Sequence, residues 1–257
     1  MKLKIQPSKE EKVESLTVRV YEKRKDMGLA AAADVIEKMK SLLRGKETIR
    51  MIFASAPSQN EFLETLRNAS GIDWQRVTVF HMDEYIGLQP REEQSFSAFL
   101  CDRLFDSVKP GAVHLINGVN DINKECRIYS ERLREAPIDI VCLGIGENGH
   151  IAFNDPPVAD FHDPAFIKKV QLDEVSRQQQ VNDSCFPKLE DVPTHALTLT
   201  IPALMSGCHL YCIVPGATKK NAVQQTLKGP ISEKNPASIL RRHPACTLYV
   251  DKDAYDE

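Results

Sequence analysis

The sequence IDIVCLGIGENGHIAFN occupies residues 138–154 and joins an apolar run to a glycine-rich turn. The apolar run at 138–144 has the length and composition of a strand that is buried on both faces of a sheet. Comparable runs predict strands at 49–54, 77–82, 112–116, 195–200, 208–214 and 246–250. Helical spacing of apolar residues predicts helices at 28–43, 59–68, 95–105, 121–135 and 217–228. Near-continuous apolar strands that alternate with helices predict a doubly wound α/β fold, with a single, mostly parallel sheet and helices on both faces.

The length and the charge of the chain restrict the number of domains and the kinds of partner that we expect. Its 257 residues fit one domain over 1–257. The chain has 33 Lys and Arg residues against 36 Asp and Glu residues, so it has no basic excess to neutralise many phosphates, and we do not expect it to bind nucleic acid. No apolar stretch approaches the roughly 18 residues of a membrane span, and the first residues lack the apolar core of a signal peptide. We therefore expect a cytoplasmic protein that does not contact a membrane.

The cysteines and the segment with the least regular pattern say less about the fold and the function. The seven cysteines are scattered along the chain and form no C-x-x-C pair. This pattern predicts neither a disulfide framework nor a structural zinc site. Residues 155–193 contain five prolines and a run of three glutamines. We interpret this segment as a flap or a surface excursion.

The glycine-rich turn contains the pattern G-x-G-x-x-G at 144–149. A dinucleotide-binding fingerprint would open a long helix at this point, but a Pro-Pro pair follows too soon for one. The glycines are better explained as allowing the backbone to pass close to a ligand while His150 projects into a site. Asn148 and Asp155 are close enough in sequence to orient this imidazole for acid–base chemistry.

Two acidic residues, Asp83 and Glu84, directly follow the predicted strand at 77–82. Ligands of parallel sheets bind beyond the carboxyl ends of the strands. A carboxylate at such a place is partly desolvated, which raises its pKa toward that of a useful general base. The alternative is that these carboxylates cap or solvate an ordinary strand end.

Two helix starts have the composition of an anion site. A predicted strand runs into Pro-Gly-Ala-Thr-Lys, which ends with Thr218 and Lys219. Free N–H groups at a helix start, together with a lysine, make a site for one phosphate. An earlier loop contains Ser55 and Ser58, and Ser58 with Glu61 fits the S-x-x-E capping box. Ordinary helix caps have the same composition, so these starts hold either a sugar phosphate or nothing.

Five stretches carry a wider pattern: MDEYIGL (82–88), GIGENGHIAFN (144–154), ALTLT (196–200), PGATK (215–219) and VDKDA (250–254). Leu-Met at 204–205 and His-Pro at 243–244 accompany them. Together they resemble the glucosamine-6-phosphate deaminase (isomerase) family. The resemblance runs in order over roughly residues 25–254, which is nearly the whole chain. The combination of the Asp83 and His150 motifs is specific.

The resemblance implies an aldose–ketose isomerisation coupled to loss of ammonia, in which glucosamine 6-phosphate and water give fructose 6-phosphate. It implies Asp83 as the general base between C2 and C1 and His150 as the ring-opening group, supported by Asn148 and Asp155. The substrate and phosphate contacts that we expect are Lys219, Thr218, Ser55, Ser58, Glu84 and Gly149. The implied partner is a small amino-sugar phosphate, with no cofactor and no metal required, and a homo-oligomer is left open.

Several positions of the implied site depart from the family pattern. Asp155 stands where the family commonly has Glu, and Asn148 stands where many members have Asp. The loop at 54–58 replaces Thr-Gly-Gly-Thr, and Cys185 stands about where an arginine grips the phosphate. Losing a bidentate arginine weakens phosphate binding. A 6-phosphogluconolactonase-like hydrolase and a non-catalytic sugar-phosphate sensor are therefore alternative interpretations.

Overall fold

The computed structural model describes residues 5–255. Its strands are β1 (Lys9–Val13), β2 (Leu16–Tyr21), β3 (Ile49–Phe53), β4 (Val77–His81), β5 (Asp83–Tyr85), β6 (Ala112–His114), β7 (Ile140–Leu143), β8 (Ile167–Gln171), β9 (His195–Leu199), β10 (His209–Val214) and β11 (Cys246–Asp251). Its α-helices are α1 (Arg24–Gly45), α2 (Asn60–Arg67), α3 (Phe96–Leu100), α4 (Asp106–Val108), α5 (Ile122–Arg134), α6 (Glu174–Asn182), α7 (Ile201–Met205) and α8 (Lys220–Lys228). None of the helices in this range has both the length and the apolarity needed to cross a bilayer.

The main sheet has eight strands in the order β1-β2-β11-β10-β7-β3-β4-β6. Neighbouring strands are parallel except for β1 and β2, which are antiparallel. From β3 the chain adds β4 and β6 on one side, and from β7 it adds β10 and β11 on the other. The strand order therefore reverses between β3 and β7, where Phe53 pairs with Cys142. Such a reversal separates the loops that follow the two strands and opens a crevice at their carboxyl ends.

Helices bury both faces of the main sheet. Along β7, Val141 and Leu143 belong to one hydrophobic cluster, whereas Ile140 and Cys142 belong to a second cluster on the opposite face. Residues of α5, α7 and α8 complete the first cluster, and residues of α1 and α2 complete the second. The α/β fold class predicted from the apolar strands is confirmed.

The predicted strand at 195–200 is present as β9 but lies outside the main sheet. It pairs antiparallel with β5 and β8 in a three-stranded sheet, in which Asp83 lies opposite Thr198. The expectation that this strand joins the main sheet is wrong, because an apolar run indicates that a strand is buried and not which strand it pairs with. The segment 155–193, interpreted as a flap or excursion, contains β8 and α6.

Two features of the fold are hidden in the sequence by charged residues. Strand β1 reads Lys-Glu-Glu-Lys-Val and alternates half-buried with exposed residues, as a charged edge strand does. These charges mask the strand pattern and protect the sheet edge from pairing with another chain. Helix α1 begins at Arg24 rather than at residue 28, because its first turn is polar and carries no apolar periodicity.

Candidate active site

A cavity of about 230 Å³ lies at the carboxyl ends of β3, β4, β7 and β10. Its walls come from the loop 54–59, from Met82 and Asp83, from the turn 144–150 and from the loop 215–219, and helix α6 contributes further residues. This volume is below the roughly 300–1,000 Å³ typical of pockets for drug-sized ligands, so the cavity suits a small metabolite better than a dinucleotide. In the described part of the chain, no group of three or more His, Cys, Asp or Glu side chains is arranged to hold a metal ion.

Asp83 begins β5 and lies in the cavity wall. Its pairing with Thr198 fixes the backbone at this point, and the residue is only 7% exposed. Burial, reinforced by the negative charges of Glu84 and Asp155, raises the pKa of the Asp83 carboxyl group well above its usual range. A carboxylate in this state is a stronger base than an exposed aspartate, which suits it to removing a proton from carbon.

Glu84 does not line the cavity, so its expected role as a substrate contact needs correction. Its two carboxylate oxygens accept hydrogen bonds from the backbone N–H groups of Tyr85 (3.0 Å), Phe96 (3.0 Å) and Ser97 (2.9 Å). Burial raises the pKa of Glu84, and these hydrogen bonds oppose that rise. Because strand residues alternate in direction, Glu84 points away from Asp83 and anchors the start of α3.

The imidazole of His150 lies in the cavity wall and is held through Nδ1. Nδ1 is 2.7 Å from Asn148 Oδ1 and 3.0 Å from Asp155 Oδ1, and both oxygens accept from one N–H. This tautomer leaves Nε2 for the cavity. Gly146 makes room for the ring, because a Cβ at that position would lie 2.2 Å from Nε2. The glycine-rich turn thus presents one imidazole in one orientation.

Asn148 and Asp155 reach the cavity through His150 and are not part of its wall. The Asn148 amide nitrogen donates to Asp155 (3.0 Å) and to Asp173 (3.2 Å), which fixes which way the amide faces. Burial by itself raises the pKa of Asp155, but the His150 charge and hydrogen bonds from His150, Asn148 and Asp173 outweigh burial, so the net pKa is lowered. Although aspartate is one methylene shorter than glutamate, Asp155 contacts His150 directly.

Four of the expected phosphate contacts line the cavity: Lys219, Thr218, Ser55 and Ser58. Lys219 is only 6% exposed, and its Nζ has no hydrogen-bond partner within residues 5–255. The buried hydroxyl of Ser55 is unpartnered in the same range. Burial lowers the pKa of Lys219, whereas the charges of Asp183 and Glu147 oppose that shift. An anionic ligand would satisfy the ammonium and the hydroxyl together.

Two further expectations from the sequence are wrong. Gly149 does not line the cavity; it has a φ of +83°, and a Cβ there would lie 1.8 Å from Asn235 Oδ1, so the turn itself requires glycine. The capping box expected from Ser58 and Glu61 does not form. Helix α2 begins without a side-chain cap, and Glu61 instead accepts a hydrogen bond from Arg24 at 2.8 Å.

Five polar residues of the cavity wall lie outside the motifs that predict the site: Arg24, Gln59, Gln179, Gln180 and Asp183. The irregular segment that contains the glutamine run predicts a flap or a surface excursion, yet Gln179 and Gln180 are both buried. Gln179 Oε1 accepts from the backbone N–H of Glu147 at 2.9 Å, which ties α6 to the glycine-rich turn. The run was visible in the sequence, but Arg24 lies in a polar stretch far from every motif and gave no signal.

Comparison with known proteins places the chain in a family. The sequence profile for glucosamine-6-phosphate isomerases/6-phosphogluconolactonase matches residues 22–249. The chain belongs to this family. Over 240 residues it is 36% identical to the glucosamine-6-phosphate deaminase of Bacillus cytotoxicus, covering 93% of this chain and 87% of that protein. The glucosamine-6-phosphate deaminase of Bacillus cereus strain G9842 is 35% identical with the same coverage.

Solved structures of this isomerase/lactonase family have the same fold. A monomeric glucosamine-6-phosphate deaminase matches with a TM-score of 0.85 at 30% identity, covering 92% of this chain and 98% of that chain. A 6-phosphogluconolactonase from Thermotoga maritima matches with a TM-score of 0.76 at 21% identity, covering 92% and 100% of the two chains. The lactonase likeness shows the shared fold alone. The resemblance carried by the sequence motifs is confirmed.

The raised pKa of Asp83 predicts that this carboxylate destabilises the fold at neutral pH. Because the folded state holds the proton more tightly than the unfolded state, stability falls as pH rises from the unfolded pKa through the folded pKa. We expect Asp83→Asn to raise the melting temperature at pH 8 by roughly 2–4 °C for each kcal/mol released. The gain should shrink at pH 5, where the wild-type group is more often protonated.

Thermal unfolding at the two pH values measures this effect. Asp253→Asn is the matched control, because it removes the carboxylate of an aspartate that is exposed to solvent. It should leave the melting temperature unchanged at both values. A melting temperature of Asp83→Asn that is lower than wild type at pH 8 would contradict the assignment of Asp83 as a desolvated carboxylate.

Asp155 should behave in the opposite way, because its pKa is lowered in the folded state. The stability it contributes is present above its unfolded pKa and is lost as pH falls through the folded pKa. Asp155→Asn should therefore lower the melting temperature at pH 7, and the difference from wild type should close at acidic pH. Asp155→Glu keeps the charge and should recover part of the loss. Equal melting temperatures for wild type and Asp155→Asn at pH 7 would refute the lowered pKa.

Proposed function

We propose that this chain catalyses the deamination and isomerisation of glucosamine 6-phosphate, with water, to fructose 6-phosphate and ammonia. One observation carries the proposal. The desolvated carboxylate of Asp83 and the oriented imidazole of His150 face the same small cavity. Family membership and the two deaminase relatives at 35–36% identity support this reaction. We propose that residues 1–257 form one domain and that the enzyme works in the cytoplasm on a small amino-sugar phosphate.

His150 is proposed to open the pyranose ring. A proton leaves the C1 hydroxyl group and a proton reaches the ring oxygen as the C1–O5 bond breaks, which gives the open aldehyde. An imidazole can serve both steps because it exchanges protons near neutral pH. Asn148 and Asp155 contribute by fixing the Nδ1 proton, so that Nε2 faces the sugar. They are positioning residues in this scheme.

Asp83 is proposed to move the proton between C2 and C1. In the open aldehyde the carboxylate removes the C2 proton, and protonation of the C1 oxygen gives an enolamine. The same carboxyl group then returns a proton to C1, which leaves an iminium at C2. Water adds to this carbon and ammonia departs, giving the ketose. The raised pKa supports the scheme, because a general base is most efficient when its pKa approaches the working pH.

Lys219, Ser55, Thr218 and Ser58 are proposed to bind the phosphate group. Two unpartnered buried groups, the Lys219 ammonium and the Ser55 hydroxyl, support this placement.

The purified protein should release ammonia and form fructose 6-phosphate when it is given glucosamine 6-phosphate. Asp83→Asn should lower kcat by roughly 10²–10⁴-fold, the contribution typical of a general base, and the variant should remain folded. 6-Phosphogluconolactone is the discriminating second substrate. Lactone hydrolysis above the spontaneous rate without ammonia release would favour the lactonase, whereas phosphate-sugar binding without turnover of either substrate would favour a sensor.

Lys219→Met tests the phosphate contact separately from catalysis. Loss of the cation should raise KM for glucosamine 6-phosphate by roughly 10- to 100-fold, as expected for a charge-assisted hydrogen bond. Because burial disfavours the charged lysine, the ligand-free variant should also melt at a higher temperature than wild type at pH 7. Lys228→Met, which changes an exposed lysine on α8, is the control. An unchanged KM in Lys219→Met would remove Lys219 from the site.

A further inference from the structure

We propose that Arg24 is a phosphate-binding residue and supplies the second cation of the anion site. This inference deepens the proposed function and rests on its claim that the ligand carries a phosphate group. Arg24 lies in the cavity wall together with Lys219, although the two residues come from opposite ends of the chain. Cys185 stands where the resemblance places an arginine, but a thiol carries no positive charge; burial raises its pKa to about 11, which keeps it neutral.

The packing of α1 against α2 explains how Arg24 reaches the cavity. Gly28 lies at the contact, where a Cβ would be 2.6 Å from Glu61 Cβ and 3.2 Å from the Phe62 backbone nitrogen. The absence of a side chain lets the two helices approach closely. Arg24 lies one helical turn before Gly28 and therefore on the same face of α1. The sequence thus places a guanidinium beside the loop that follows β3.

Two contacts hold the guanidinium in a fixed position. Arg24 Nε donates to Glu61 Oε1 at 2.8 Å, and Nη2 donates to the Pro57 carbonyl oxygen at 2.5 Å. Nη1 has no hydrogen-bond partner in the described range 5–255. Glu61 and Pro57 thus orient the planar group while leaving donors unused. A preorganised guanidinium loses little conformational freedom on binding an oxyanion.

A second cation in the cavity wall would help to balance the charge of a phosphate group. A phosphate monoester carries a charge of about −1.5 to −2 at pH 7. Among the described residues, the cavity wall contains one lysine, Lys219, and one arginine, Arg24. Asp183 adds a negative charge to the same wall. The single positive charge of Lys219 would balance only part of the phosphate charge.

The charges at the start of α1 are opposite in sign to those that usually stabilise the N-terminus of a helix. Lys23, Arg24 and Lys25 are three consecutive basic residues at the N-terminus, where the helix dipole favours acidic side chains. Asp26 is the acidic residue of that turn. A local departure of this kind is expected where a residue serves a ligand rather than the stability of its helix.

Calorimetric titration with inorganic phosphate tests the proposal without turnover. We expect Arg24→Gln to weaken phosphate binding by roughly 10- to 100-fold, the effect of losing a charged hydrogen-bond donor. Arg24→Lys keeps the charge but loses the fork of donors, so it should recover only part of the affinity. Lys25→Gln is the matched control, because it removes the same charge from the same turn at an exposed residue outside the cavity, and it should change affinity by less than about threefold.

Steady-state kinetics with glucosamine 6-phosphate provide the second readout. A phosphate contact predicts that Arg24→Gln raises KM while kcat changes little, because the phosphate is bound equally in ground and transition states. An unchanged phosphate affinity in Arg24→Gln, or equal losses in Arg24→Gln and Lys25→Gln, would overturn the proposal. If wild type binds phosphate through Arg24 but releases no ammonia, the proposed function fails and the Arg24 site stands. If wild type is active and Arg24→Gln binds phosphate normally, only the Arg24 site fails.

Discussion

The parallel pairing of β3 with β7 is the constraint on which the site depends. The pairing continues to the ends of both strands, where the Ala54 N–H donates to the Cys142 carbonyl oxygen at 2.9 Å. Because the strand order reverses between these two strands, their loops diverge and leave a crevice. The Met82 N–H donates to the Phe53 carbonyl oxygen at 3.3 Å and so carries Asp83 to the same edge. Asp83 and His150, far apart in sequence, face one cavity for this reason.

The charged groups of the site fall into two classes, according to whether the protein itself supplies their hydrogen-bond partners. The Glu84 and Asp155 carboxylates each accept several hydrogen bonds from the protein, and they position other groups. Burial shifts Asp83 and Lys219 toward their neutral forms, and Nζ of Lys219 has no partner in the described residues. Groups left unsatisfied in a stable core are expected where a substrate completes the interactions. The two large hydrophobic clusters supply the stability that tolerates them.

The sequence allowed the central strands to be predicted because burial on both faces makes them continuously apolar, as at 138–144. It did not reveal the sheet to which β9 belongs, since pairing depends on partners distant in the chain. Asp83 and His150 stood out because they directly follow a strand and a glycine-rich turn. Glu84 was misplaced because sequence neighbours on a strand point to opposite sides. Arg24 could not be predicted, because only the contact between α1 and α2 brings it to the cavity.

The most direct test of the account is proton exchange at C1 of fructose 6-phosphate. The enzyme is incubated with fructose 6-phosphate and ammonium in D₂O, and the C1 protons are followed by nuclear magnetic resonance. One carboxylate on one side of the sugar predicts that wild type exchanges a single C1 proton stereospecifically and that Asp83→Asn exchanges neither. Exchange of both protons by wild type, or undiminished exchange by Asp83→Asn, would contradict the claim that Asp83 is the base facing the sugar.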